Sequence, residues 1–121
     1  MSENATDRPI TAYKVLTADE MAALERDGSF AGSAVDRKDG FIHLSTAAQL
    51  TETVDRHFAG RDDLHVAAVD LMAFAGSLRW EESRGGDMFP HLYGPLRLDT
   101  LVAYGPLERD GDGQVRLPVT G

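Results

Sequence analysis

The chain has no cysteine among its 121 residues. A disulfide framework, a thiolate metal site and a cysteine nucleophile are therefore excluded, and with them zinc ribbons, thioredoxin-like redox chemistry and papain-like catalysis. Any nucleophile is an oxygen or a nitrogen. Positive charge is also scarce: 12 Lys and Arg stand against 20 Asp and Glu, a formal net charge of −8. Non-specific attraction to nucleic acid needs the opposite surplus, because counterions are released only where Lys and Arg accumulate on phosphates. No nucleic-acid partner is expected, although a basic pocket within an acidic protein is compatible with the composition. No window approaches the ~20 apolar residues of a membrane helix. The polar start, Met1 to Pro9, carries Glu3, Asp7 and Arg8 and lacks the apolar core of a signal peptide. The expectation is a cytoplasmic protein with no membrane partner and a flexible leader over 1–9. Internal repeats and low-complexity tracts are missing too, which argues against a solenoid or a linker-rich adaptor. The remainder, 10–121, has the size of a single hydrophobic core.

Strand-like and helix-like stretches alternate along it. Ile10 to Leu16 reads as a strand, and Thr17-Ala-Asp-Glu20 is a capping box that opens a helix from Ala18 to Arg26, closed by Asp27-Gly28. Ser29 to Gly40 is rich in Gly, Ser and charge without a sustained period and reads as a loop. Gly40 to Ser45 is a short strand. Thr46 with Gln49 repeats the capping arrangement before a second helix whose Leu50, Val54 and Phe58 form one apolar stripe ending at Gly60. Leu64 to Leu71 and Leu78 to Glu82 are strands, and Ser83 to Pro90 is irregular. Asp99 to Glu108 and Gln114 to Leu117 flank the turn Asp110-Gly-Asp-Gly113 as a terminal hairpin, with Pro106 pushing one partner toward a sheet edge. More strands than helices implies an α+β fold: two short helices on the faces of a mixed or antiparallel sheet.

Two segments concentrate chemistry. Along an extended Gly40–Thr46 the side chains alternate, so Phe41, His43 and Ser45 share one face and Ile42 and Leu44 the other. With Ile42 and Leu44 in the core, His43 and Ser45 project toward a helix N-terminus, where unpaired N–H groups favour an anion. The plainer alternative is that Ser45 or Thr46 caps the helix and His43 is a half-buried, hydrogen-bonded residue. The second segment, Arg79-Trp-Glu-Glu-Ser-Arg-Gly-Gly86 with Phe89-Pro-His-Leu-Tyr-Gly-Pro-Leu96, gathers the single Trp with two carboxylates, two arginines, a histidine and a tyrosine. Trp80 offers stacking surface for a base or nicotinamide, and Arg84 among glycines can fork onto a phosphate. Alternatively Trp80 and Phe89 plug the core and the charges are solvated. Glu81 and Glu82, being adjacent, point to opposite faces of a strand, so a carboxylate-pair hydrolase needs another acid across a pocket. His57 and His65 have no partner at metal-ligand spacing, and no metal site is expected.

Tyr13-Lys-Val-Leu16, Gly40-Phe-Ile-His-Leu-Ser-Thr46, Arg79-Trp-Glu81 and Phe89-Pro-His-Leu-Tyr-Gly-Pro-Leu96 resemble the signature of a small bacterial family, domain-of-unknown-function family 952. The resemblance spans roughly Ile10 to Pro118. It implies a fold like that of the ADP-ribosyltransferases, a small split mixed or antiparallel sheet with two short helices that grips NAD in a cleft between two sheet halves. By order along the chain, the resemblance sets Tyr13 or Lys14 at the first position holding NAD, His43 with Ser45 and Thr46 at the second, and His91 or Tyr93 at the third. No glutamate stands at that third position, where such transferases carry their catalytic one; Glu81 can stand in if its strand lies beside His91. The expectation is thus a pocket protein that binds or acts on NAD, or a related small-molecule nucleotide, as ligand or substrate. His43, His91 and Glu81 would carry acid–base chemistry, with Tyr13, Lys14, Ser45, Thr46, Trp80, Arg84 and Tyr93 around the ligand. Transferase, hydrolase or no enzyme at all is left open. The rival expectation is a non-catalytic module for a small metabolite or a protein partner, and the two separate on whether His43, Trp80 and His91 line one open cleft.

Overall fold

The computed structural model describes residues 9–118, so the expected leader lies outside the described residues apart from Pro9. The elements in chain order are β1 (Thr11–Thr17), α1 (Ala18–Asp27), β2 (Ser29–Phe30), α2 (Ala34–Asp39), β3 (Ile42–His43), α3 (Leu50–His57), β4 (Leu64–Asp70), β5 (Leu78–Glu82), β6 (Met88–Leu92), β7 (Leu96–Arg97) and β8 (Leu101–Pro106). They form an α+β arrangement of three small sheets, ordered β1-β4-β8, β2-β7 and β3-β6-β5. Every pairing among the described strands is antiparallel, which resolves the mixed-or-antiparallel expectation.

The central strand β4 is apolar on both faces, and both are covered. Leu64, Val66 and Ala68 pack in one cluster with Tyr13, Val15, Leu50, Val54 and Val115, beneath α3. Ala67 and Val69 pack in the other with Ala12, Leu16, Met21 and Leu24 of β1 and α1, and with Ile42, Leu92 and Leu96 from the other two sheets. The two helices expected on the sheet faces are therefore there, on opposite sides of β1-β4-β8. Their termini follow local chemistry. Thr17 and Glu20 close a reciprocal capping box, and Gly28 takes the left-handed conformation at φ 78°.

Several expectations change. The stretch read as a loop, Ser29 to Gly40, contains β2 and a third helix, α2, opened by a second box in which Ser33 and Asp36 exchange hydrogen bonds. The strand expected over Gly40 to Ser45 keeps only two residues in one sheet, because the chain changes partner. Ile42 and His43 pair with β6, and Ser45 then pairs with Tyr13 of β1. The stretch read as irregular, Ser83 to Pro90, already contains the start of β6, which forms a hairpin with β5. The terminal hairpin shrinks to the single bridge Arg109↔Val115, since β8 pairs with β4 instead. Thr46 and Gln49 do exchange their box bonds, one turn before α3 begins at Leu50.

Candidate functional site

Alternation on the β3-β6-β5 sheet sets the site. Ile42, Leu92, Leu78 and Trp80 turn inward onto the core, which leaves His43, His91, Arg79 and Glu81 on the opposite face. His43 is the cross-strand partner of His91, and Arg79 is its partner on the other side. The three therefore stand in a row across three strands. Phe41 joins them from the turn before β3, its ring stacked on His91 at 4.0 Å and 4.6 Å from His43. The two imidazole rings are 5.7 Å apart. Tyr93, one residue past β6, lies 5.3 Å from Phe41, and the Arg79 guanidinium lies 5.4 Å over the Tyr93 ring, within cation–π range.

Each imidazole has a carboxylate on Nδ1. His91 meets Glu81 Oε1 at 2.8 Å, and the Tyr93 hydroxyl donates to the same oxygen at 2.7 Å. Those bonds, Tyr93 first and His91 second, hold the Glu81 carboxyl below the ordinary glutamate range, and the same bond raises the Tyr93 phenol. His43 donates from Nδ1 to Asp36 Oδ1 at 2.6 Å and from its backbone amide to the same oxygen at 3.1 Å. The other Asp36 oxygen accepts from Lys14 Nζ at 2.8 Å and from the Ser33 amide at 2.9 Å. With its carboxylate fully hydrogen-bonded, Asp36 tolerates 2% exposure. Burial alone would raise its carboxyl pKa; the bonds from His43 and Lys14 and the Lys14 charge overcome that and hold it far below the usual range. A Cβ at Gly32 would lie 2.8 Å from the Asp36 Cβ, and Gly32 sits at φ +115°, so glycine is what lets the chain pass this close. On its exposed side, His43 Nε2 meets Asp39 Oδ2 at 3.0 Å. Both carboxylates are satisfied together only when both ring nitrogens carry hydrogen.

The expected residues thus divide. His43, His91, Glu81 and Tyr93 come together on one face, and Glu81 lies on the strand beside His91, as the substitution for the missing glutamate requires. Lys14 reaches the same network from below, buried, its ammonium engaged by Asp36 and by the His43 carbonyl at 3.2 Å. Trp80 does not join them. It packs against the core from the inner face of β5, so the cleft of two imidazoles and an indole does not form. Tyr13 also points away from Lys14, into the cluster beneath α3, where burial raises its phenol pKa. It lines, with Thr46, a separate cleft of about 440 Å³ bounded by Pro9, Ile10 and Ala47. Ser45 is buried, its hydroxyl 2.9 Å from that of Thr53 on α3. Arg84 lies in the 3-10 turn Arg84–Gly86, and its side chain is outside the described part of the structure. Asp36 and Asp39 are not among the residues expected from the sequence, whereas Phe41, on the face of His43, and Arg79, in the Arg79–Gly86 segment, are expected there without a role of their own. Arg79 was readable as a same-face neighbour of Glu81, and Ser33-Ala-Val-Asp36 as a cap with a short acid.

A model of a family described as a protein of unknown function, DUF952, matches residues 15–104. The chain belongs to the DUF952 family. The match takes in α2 and the whole β3-β6-β5 sheet, so every residue of the two-imidazole face lies within the DUF952 region, while Tyr13, Lys14 and the Arg109↔Val115 bridge lie outside it. Among solved structures, the chain is similar to the X-ray crystal structure of protein CC0527 from Caulobacter crescentus: 42% identical, covering 88% of this chain and 93% of that one, TM-score 0.80. It is likewise similar to the solution NMR structure of CC0527, at 43% identity over 88% of this chain and 91% of that one, TM-score 0.75. No curated protein matches. Among the described residues, no helix is long and apolar enough to cross a membrane.

Proposed function

We propose that the His43–His91 face binds a small nucleotide of the NAD or ADP-ribose kind and carries acid–base chemistry on it, as a transferase or hydrolase. The observation behind this reading is that two cross-strand imidazoles stand side by side, each with its Nδ1 on a carboxylate. A carboxylate on Nδ1 fixes the tautomer, turns Nε2 toward the reacting group and stabilises the imidazolium that forms when Nε2 takes a proton. His91 with Glu81 is the acid–base pair. His43, held by Asp36, is the polar anchor, and Phe41 and Tyr93 replace Trp80 and Tyr13 as the aromatic surface. On this reading Glu81, on the strand beside His91, stands in for the glutamate missing at the third position.

Calorimetric titration with NAD, ADP-ribose and AMP, alongside thermal shift, tests the reading. It expects heat and a raised melting temperature for at least one of the three, lost in His43→Ala, and product formation lost in His91→Ala. Silence from all three ligands rejects the nucleotide. A second reading, a non-catalytic module, is favoured by one observation: Phe41 covers His91, whose side chain is only 6% exposed. On that reading His91→Ala lowers stability and leaves ligand affinity unchanged.

A further inference from the structure

We propose that the cleft between the start of β1 and the turn before α3 binds a small neutral amide with an apolar side group, whose carbonyl accepts from the Tyr13 hydroxyl. The site is separate from the two-imidazole face and independent of the nucleotide reading above. It arises where a strand pairing stops. Tyr13 and Ser45 exchange both backbone hydrogen bonds, at 2.7 and 2.9 Å. A continued antiparallel ladder would set Ala47 opposite Thr11, but the chain turns after Ser45: the Gln49 amide donates to the Thr46 carbonyl at 3.1 Å, and α3 begins at Leu50. The two stretches therefore part, and the cleft of about 440 Å³ occupies the wedge, lined by Ile10 and Thr11 from β1 and its approach and by Ala47 and Ala48 from the turn. Alternate residues of a strand turn their backbone groups to the same side, so Thr11 presents its N–H and C=O on the edge where Tyr13 meets Ser45. Neither group has a backbone partner there among the described residues.

The lining selects the ligand class. Tyr13 is only 9% exposed and lines the cleft, yet its hydroxyl has no hydrogen-bond partner among the described residues. Nor is that oxygen sealed from solvent, since the one sealed and unpartnered side-chain polar atom among the described residues is His65 Nδ1. The little surface that Tyr13 keeps is at the cleft it lines, and a nearly buried hydroxyl without a partner there calls for a hydrogen-bonding ligand. The Thr46 hydroxyl oxygen accepts from the Gln49 amide at 3.3 Å, which leaves its hydrogen to donate as well. Two hydroxyl donors ask for a carbonyl oxygen, and the unpaired Thr11 carbonyl asks for an N–H; a secondary amide supplies both. Among the described residues no charged side chain lines the cleft, although 26% of the chain is charged. An ion would shed its hydration there without meeting a counter-charge, which favours a neutral ligand. Ile10, 63% exposed, and the two alanine methyls offer its side group an apolar surface.

N-acetyl-leucine N-methylamide, titrated into the full-length protein and followed by the backbone amide signals in nuclear magnetic resonance, tests the site. The expected result is saturable shifts at Thr11, Ala47 and Ala48 with His43 and His91 unmoved. Tyr13→Phe should weaken the binding about threefold to tenfold without lowering the melting temperature, because the hydroxyl it removes has no partner to lose. Ala47→Phe, a substitution at an exposed position that fills the wedge, should abolish binding. The proposal is overturned by the absence of saturable shifts, by shifts centred on the two-imidazole face, or by Tyr13→Phe or Ala47→Phe binding as wild type does. A lowered melting temperature in Tyr13→Phe overturns it too, since the hydroxyl would then be bonded within the chain. None of these outcomes bears on the titrations with NAD, ADP-ribose and AMP, so the two readings stand or fall separately.

Discussion

Asp36 illustrates how one buried side chain can hold a surface in shape. Its oxygens collect donors from three parts of the chain: Lys14 on β1, Ser33 before α2, and the backbone and ring of His43 on β3. Replacing it with alanine leaves the Lys14 ammonium buried without its counter-charge and the Ser33 and His43 amides without acceptors. Breaking a buried pair from one side costs about 3–5 kcal/mol, so Asp36→Ala is expected to lower the stability measured by urea unfolding by that amount. The pH dependence follows from the depressed carboxyl. A group whose folded pKa lies below its unfolded value stabilises the fold above the unfolded pKa, and that contribution is lost as pH falls toward the folded value. The urea midpoint of the wild type should therefore drop on acidification below the ordinary aspartate pKa of 3.8, and Asp36→Asn should drop less over the same window. An equal fall in both proteins would remove Asp36 from the account of acid stability. None of this was legible in the sequence, where Asp36 is one of 20 acidic residues. Its importance comes from partners 22 residues upstream and 7 downstream, which only the fold brings together.

At the scale of elements, legibility tracked how many independent local signals agreed. For α1 they all did: a box at Thr17 and Glu20, buried Met21 and Leu24 on one stripe, and a left-handed glycine at its end. Loss of the Thr17 cap, an oxygen accepting from the Glu20 amide at 3.1 Å, is expected to cost about 1 kcal/mol. Thr17→Ala should show it as a lowered denaturation midpoint that Thr17→Ser restores; an unchanged midpoint in the alanine variant would mean that Glu20 and solvent satisfy the helix end unaided. The helix α2 offered less. It has six residues, its buried member is Asp36 rather than an apolar side chain, and its box carries an aspartate where the usual pattern has Glu or Gln. The central strand β6 was hidden by Pro90, a residue that argues against a sheet interior because it has no N–H to give. The structure accommodates it opposite Trp80, with the Pro90 carbonyl still accepting from the Leu44 amide at 3.2 Å. The switch of the chain from β6 to β1 between His43 and Ser45 left no mark in hydrophobic pattern. That is why Ser45 was expected beside His43 and instead meets Thr53.

Across the whole molecule, the sheet β1-β4-β8 separates two apolar clusters, and the two-imidazole face is built on the outside of the sheet that closes the larger one. The α+β class was readable because apolar alternation and cap signals survive in short windows. The division into three sheets was not, since it depends on which edges meet. This layering makes a prediction about energetics. Ile42 lies in the cluster under the site and Leu50 in the cluster beneath α3, each buried at 2% and 0% exposure. Ile42→Val should cost about 0.5–1.5 kcal/mol and Leu50→Ala about 2–5 kcal/mol. Because the two clusters lie on opposite faces of β1-β4-β8, the double variant should show the sum of the two within about 0.5 kcal/mol. It should also unfold in one cooperative transition seen alike by far-ultraviolet circular dichroism and by Trp80 fluorescence. A double-variant loss departing from the sum by 1 kcal/mol or more, in either direction, would mean that the sheet transmits strain from one face to the other. In that case packing under α3 would also bear on the geometry of His43 and His91, which the Leu50→Ala variant would show as a changed stability cost of His91→Ala.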